Sequence, residues 1–223
     1  MKESLRAYFR GWVDHPHLGR RIAIAVVSTV MMGLCVLAFE RLDVGTDPFS
    51  CACIGLANLL GVDLGHVEAV VHTVTLLIVL AVARDMFGFG SLANMFLVGY
   101  SADLFSFLMD VLGLHPEALE TAGKIAVFIP AIALVLVAAA FYMVVDLGTA
   151  PYDSMPLLIH DTFKKPSFMV TRMLWDVSFI LLGLLVGADV GIVTVAIAFG
   201  LGPVIRAVAD RFRPMIIPGD EGT

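Results

Sequence analysis

The chain repeats itself without a gap. Asp43-Val-Gly-Thr-Asp-Pro-Phe49 returns 103 residues later as Asp146-Leu-Gly-Thr-Ala-Pro-Tyr152. At the same offset Gly88, Ala93, Phe96 and Gly99 fall on Gly191, Ala196, Phe199 and Gly202. Ten positions of the windows 43–103 and 146–206 are identical, and many of the others exchange one apolar residue for another. A constant period of this kind marks an internal structural repeat, which limits the fold to two copies of one unit. In membrane proteins such repeats meet around a solute pathway.

Composition supplies the solvent. Of 223 residues 59% are hydrophobic and 15% charged, and the mean hydropathy is +0.93. Soluble domains carry about 25% charged residues. Apolar runs cover 22–39, 66–83, 86–112, 125–145, 168–187 and 190–208, each near the roughly 20 residues that cross a hydrocarbon core. Short connections leave no room for a soluble domain. Lys2, Arg6, Arg10, Arg20 and Arg21 precede the first run, which is longer than a signal-peptide core and is followed by Glu40-Arg41 rather than by a small-x-small cleavage site. It reads as a retained first helix with its amino end in the cytoplasm. The resulting division is a basic cytoplasmic segment 1–21, a first repeat 22–112, a linker 113–124, a second repeat 125–209 and a cytoplasmic tail 210–223, all one membrane domain.

Two apolar stretches of 14 residues, 48–61 and 151–164, follow the repeated motif. If both stop half-way there are six spans, and if both cross there are eight. Lys and Arg do not discriminate, because either arrangement puts twelve inside and two outside. Length does: 14 helical residues reach only about 21 Å, and segments of 10–14 residues tend to be re-entrant. The second stretch also holds Asp153, His160 and Asp161, which lipid tolerates poorly. The expected fold is therefore all-α and polytopic, with six transmembrane helices and two re-entrant half-helices. Three crossings per repeat, an odd number, make the two repeats inverted relative to each other.

The motif itself reads as a helix start. Gly45 and Gly148 permit a sharp turn. Asp47 occupies an N-cap position and Pro48 the first helical position, as Pro151 does in the second copy. Ala150 cannot cap through its side chain, so Thr149 and Asp153 are the nearest groups for those amides. Half-helix starts present free N–H groups and partial positive charge. Asp47 and Asp153 offset that preference for anions, which leaves a cation, a proton or a neutral polar solute in contention. The candidate substrate-binding set is Thr46, Asp47, Phe49, Thr149, Tyr152 and Asp153, lining one polar cavity. Polar residues inside spans add His72, Arg172 and Asp176 as a coupling or gating group, with Arg172 and Asp176 four apart on one helix face. Asp103 and Arg206 sit near span ends, where snorkelling explains them. Gly88 to Ser91 and Gly191 to Thr194 both open a span and point to tight packing against the re-entrant segments. Cys35, Cys51 and Cys53 read as small packing residues, not as metal ligands or a disulfide framework.

Those motifs carry a family resemblance. The chain resembles the YczE/YyaS-like bacterial integral membrane proteins, which are related more distantly to the YitT type. A Gly-x-x-Pro turn at 45–50 and 148–153, helix starts at 88–91 and 191–194, and the Arg172/Asp176 pair carry the match, over roughly residues 20 to 210. It departs at Ser50, where Asp is usual, at Phe49 and Tyr152, and at Val193, where Gly is expected. The resemblance implies a multi-pass protein of the bacterial cytoplasmic (inner) membrane, and it supplies no substrate.

No Walker loop, dinucleotide fingerprint, zinc spacing or nucleophile elbow occurs, and basic residues are confined to span flanks. An enzyme, a cofactor and a nucleic-acid partner are not expected. The functional expectation is a transporter or channel for a small polar solute or ion. The alternative is a non-transporting membrane partner of a biosynthetic or signalling complex. The lipid bilayer is the expected environment, and a homo-oligomer is compatible with either reading.

Overall fold

The structure, a computed structural model, describes residues 17–62, 64–164 and 166–216. Most of the basic segment 1–21 and the last residues of the tail 210–223 lie outside the described residues. Among the described residues, eight α-helices make up the fold: α1 Leu18–Leu42, α2 Pro48–Leu60, α3 Leu64–Val82, α4 Phe89–Leu112, α5 Thr121–Val144, α6 Pro151–Phe163, α7 Phe168–Leu185 and α8 Ile192–Ile216. Single 3-10 turns at Arg84–Met86 and Pro116–Ala118 join α3 to α4 and α4 to α5.

Five helices, α1, α4, α5, α7 and α8, are long and apolar enough to cross a membrane. The apolar part of α3, His66–Val82, is shorter. In lipid a segment that must satisfy its backbone polar groups by itself does so as a helix, which suits apolar runs of about 20 residues such as these. The fold is that of a multi-pass helical membrane protein. The sixth apolar run ends at 208, yet α8 continues to Ile216. Charge at Asp210, Arg211 and Arg213 ends hydrophobicity there, but it does not interrupt the i to i−4 hydrogen-bond ladder.

Side-chain contacts fix which helix ends lie together. Arg20 donates to the Ile216 carbonyl and Arg21 Nη1 to the Val145 carbonyl at 3.1 Å. The start of α1 thus meets the ends of α5 and α8. At the opposite end Arg41 binds Ser106 and Asp110 of α4, each at 2.8 Å. It follows that α1 and α4 run one way and α5 and α8 the other.

The main core lies between α1, α5 and α8 and includes Ala25, Phe39, Val135, Ala139, Val193, Ile197 and Leu201. Small residues set the approach, as expected where lipid offers no hydrophobic drive between helices. A Cβ on Gly33 would collide with the Val98 carbonyl and Ser101 of α4. The short helices pack reciprocally, α2 on α7 and α6 on α3. Gly55 and Gly183 allow the first of these contacts, each facing backbone or side chains of the other helix.

Candidate functional site

The two motif turns are built alike. Asp43 and Asp146 take the left-handed conformation at φ 53°, and Gly45 and Gly148 follow at φ 99° and 89°. Aspartate tolerates this region and glycine is at no disadvantage in it. Both aspartates are exposed, and Asp43 closes α1 as its C-cap.

Each turn is seated on a helix start from the other copy. The Val44 carbonyl accepts the Val193 N–H at 3.4 Å, and the Thr46 carbonyl accepts Thr194 Oγ1 at 2.6 Å. In the second copy the Leu147 carbonyl accepts the Gly90 N–H at 2.7 Å, and the Thr149 carbonyl accepts Ser91 Oγ at 2.6 Å. Ser91 and Thr194 are 103 apart, as are Thr46 and Thr149. Glycine is required on both sides of each seat. A Cβ on Gly45 would overlap the Gly191 backbone, and one on Gly148 would overlap Gly88. The sequence pointed to packing of 88–91 and 191–194 against the re-entrant segments; they hold instead the turns that precede them, and across copies.

Beyond the turns the copies differ. Asp47 caps α2, accepting from Phe49 N at 3.0 Å and Ser50 N at 3.1 Å, with Pro48 at the first position. Ala150 gives α6 no side-chain cap. Thr149 and Asp153, expected to serve those amides, are engaged elsewhere. Thr149 Oγ1 bonds Ser154 Oγ at 2.6 Å, and Asp153 Oδ1 accepts from Arg172 Nη1. An ion pair with a buried guanidinium is a stronger interaction for a carboxylate than a neutral amide.

Arg172 is the centre of a buried ionic group. Its Nε donates to Asp176 Oδ2 at 3.0 Å, one turn along α7, and Tyr152 donates from its hydroxyl to Asp176 Oδ1 at 2.7 Å. The guanidinium also lies over the Tyr152 ring, 5.4 Å from its centroid. Arg172 is 3% exposed, Asp176 0% and Asp153 17%. The counterparts of Asp153, Arg172 and Asp176 in the first copy are Ser50, Ala69 and Thr73, so all these charges belong to the second.

An aromatic cluster joins the two half-helix starts. Phe49 and Tyr152 lie with ring centroids 5.2 Å apart. His72 packs on Phe49 at 4.4 Å, while Trp175 and Phe179 pack on Tyr152 at 5.8 and 4.9 Å. His72 Nδ1 and Trp175 Nε1 are both buried and have no hydrogen-bond partner among the described residues. His72 and Trp175 are themselves 103 apart.

Of the candidate residues, then, Phe49, His72, Tyr152, Asp153, Arg172 and Asp176 form one contiguous group. Asp47 borders it through its cap. Thr46 contributes a carbonyl to the seat and a weak hydroxyl contact of 3.3 Å to the Asp47 carbonyl. Thr149 belongs to a different region, the wall of a cavity of about 500 Å³ with Asp146 and His160. The two turns are joined by ring contact. Sequence reasoning missed Phe179 and Ser154, and it singled out Ser91 and Thr194 for packing but not as the hydroxyl donors of the seats. A usable signal existed for the last two, since a hydroxyl recurs at the same offset. Cys35, Cys51 and Cys53 are buried free thiols, and among the described residues no three His, Cys, Asp or Glu side chains converge as a metal site would require.

No curated protein and no solved structure matches the chain. A model of one protein family does, over residues 19–210, which is most of the length and takes in both turns, both seats and the ionic group. The chain belongs to that family, DUF6198, a family of unknown function.

Proposed function

We propose that the protein is a transporter or channel for a small polar solute, working where the starts of α2 and α6 meet. One observation carries this reading. Two residues 103 apart, His72 and Trp175, each hold a buried ring nitrogen without a partner beside the Phe49–Tyr152 contact. A buried unpartnered polar atom costs about 1–3 kcal/mol, and two at equivalent positions in one place fit a ligand with polar groups. The carboxylates of Asp47, Asp153 and Asp176 against the single guanidinium of Arg172 favour a cation or a proton over an anion.

The architecture supports the same reading. The opposed directions of α1 and α5, and of α4 and α8, are what inverted repeats of three spans each would give. On that basis α1, α3, α4, α5, α7 and α8 cross the bacterial inner membrane, and α2 and α6, 13 residues each, are re-entrant. The end bearing Arg20, Arg21, Arg211 and Arg213 faces the cytoplasm, in keeping with the distribution of basic residues in membrane proteins. Solute exchange would then pivot the halves about the Gly45–Gly191 and Gly88–Gly148 contacts.

The test is solute-dependent stabilisation of the purified protein across a panel of inorganic cations, amines and neutral polar metabolites. A hit is expected to raise Tm of the wild type and to lose its effect in His72→Phe and Trp175→Phe, which keep a ring and remove the nitrogen. If no compound stabilises the wild type, or every hit acts equally on both variants, the central site is refuted. The alternative of a non-transporting partner would then be preferred.

A further inference from the structure

At the end of the molecule where α1 begins and α8 finishes, the cavity of about 500 Å³ opens between α5, α6, α7 and α8. Its polar lining is Asp146, Thr149, His160, Ser167, Arg206 and Arg213. The remaining wall is apolar, with Leu157, Phe168 and Ile205 among its residues. We propose that this cavity binds a phosphate group carried on an apolar body, at a site separate from the central aromatic and ionic group.

Three features converge on that chemistry. Arg206 and Arg213 are seven residues apart on α8, two turns along one face, and both border the cavity. Arginine presents a planar fork of donors that matches phosphate oxygens. Against them stands one carboxylate in the lining, Asp146, which is exposed; Asp210 lies 3.9 Å from Arg206 outside the cavity. His160 adds an acceptor. Its Nδ1 is 3.0 Å from the Pro166 carbonyl, which can only accept, so Nδ1 carries the proton and Nε2 of the neutral ring is left to accept from a hydroxyl of the phosphate ester or its headgroup. The first turn of α7, an 18-residue helix, borders the cavity through Ser167, Phe168 and Met169, and the N-cap Ser167 makes no side-chain cap. Its amides add to the positive potential that the arginines set. The apolar wall and the volume exceed what a bare oxyanion needs and fall within the range of small-molecule sites, about 300–1,000 Å³. Two sources could present this chemistry, an anionic phospholipid or a soluble phosphate ester.

The experiment uses the full chain in a neutral detergent, with thermal unfolding as the readout. The probes are inorganic phosphate, glycerol 1-phosphate, dioctanoyl phosphatidylglycerol and, as a zwitterionic control, dioctanoyl phosphatidylcholine. At least one of the first three is expected to raise Tm in a saturable manner. The apparent Kd is expected to weaken about tenfold or more in Arg206→Gln/Arg213→Gln, from the loss of charge-assisted hydrogen bonds. Arg41→Gln at the opposite end should leave it unchanged. Stabilisation by glycerol 1-phosphate without the lipid assigns a soluble ester, and stabilisation by the anionic lipid alone assigns a phospholipid. Arg206 is exposed and Arg213 half-buried, so the double variant is expected to fold, which its Tm without ligand checks; Ser167→Ala/His160→Gln provides a second, uncharged test. Absence of any shift, an equal shift with phosphatidylcholine, or unchanged Kd in both double variants overturns the proposal.

Discussion

Arg172→Met is the most searching perturbation of this structure. Methionine keeps a long, unbranched side chain in the same space and removes only the guanidinium. What remains is a fully buried carboxylate, Asp176, and a second at 17% exposure, Asp153, both without their cation. Breaking a buried ion pair from one side costs about 3–5 kcal/mol, because the partner is left charged and desolvated. Tyr152 still donates to Asp176, which argues for the lower half of that range. For a chain of this length roughly 2–4 °C is lost per kcal/mol, so a loss of about 3–4 kcal/mol lowers Tm by about 6–16 °C. Intrinsic fluorescence of the protein in lipid nanodiscs is a suitable assay, since Trp175 sits against Tyr152. The triple variant Asp153→Asn/Arg172→Met/Asp176→Asn removes the stranded charges and should recover most of the loss. Two results would refute the reasoning. One is an Arg172→Met loss below about 1 kcal/mol, the size of an exposed surface pair. The other is a triple variant as unstable as the single, which would mean that packing and not charge is at stake.

Other outcomes follow from the same geometry. Gly148→Ala and Gly191→Ala should fail to accumulate as folded protein, because the added Cβ meets backbone, while Gly99→Ala, with open space around it, should stay within about 0.5 kcal/mol of wild type. Thr194→Val removes one hydroxyl-to-carbonyl bond across the halves and should cost about 1 kcal/mol by denaturant titration, whereas Ser91→Ala also strands the Gly88 N–H that Ser91 Oγ accepts at 3.1 Å and should cost about 2 kcal/mol. Once a substrate is known, Asp153→Asn should impair proteoliposome flux and its pH dependence more than Asp43→Asn does; equal, pH-independent flux in wild type and Asp153→Asn would exclude a coupling role. The three native thiols should not react with a membrane-impermeant maleimide, whereas Val62→Cys should label from the outer side if the proposed six-span topology holds, and labelling from the cytoplasm would replace that proposal with eight spans.

Local features were legible in the chain. The proline and the aspartate cap announced the start of α2, and Pro151 announced that of α6; the ends at Gly61 and Lys164, both at positive φ, match the extent of the two stretches, though nothing about a lysine announces that conformation. The four-residue spacing of Arg172 and Asp176 announced their pairing, because i,i+4 neighbours on a helix face meet whatever else happens. What depends on long-range packing was not legible. Nothing local says that Asp153 turns toward Arg172, 19 residues away, and not to its own helix's amides. Nor does any local signal place Thr149 against Ser91 at a separation of 58 residues. The end of α8 was not legible because hydropathy records where lipid contact ends, and a helix can outlast it by two turns.

The crossed seating of the two turns bears on how such a molecule can come apart. Neither half holds the socket for its own hook: Val44 to Thr46 rest on residues 191–194, and Leu147 to Thr149 rest on residues 88–91. A chain severed between α4 and α5 would therefore give two fragments that are each unfinished, with turn carbonyls exposed in lipid and glycine faces bare. Each fragment completes the other, so co-expression should restore one molecule from two pieces while either alone is degraded. The same exchange is what two separate copies of an ancestral half would have made as a dimer before fusion into a single chain. On that view the connection between α4 and α5 tethers partners already committed to each other.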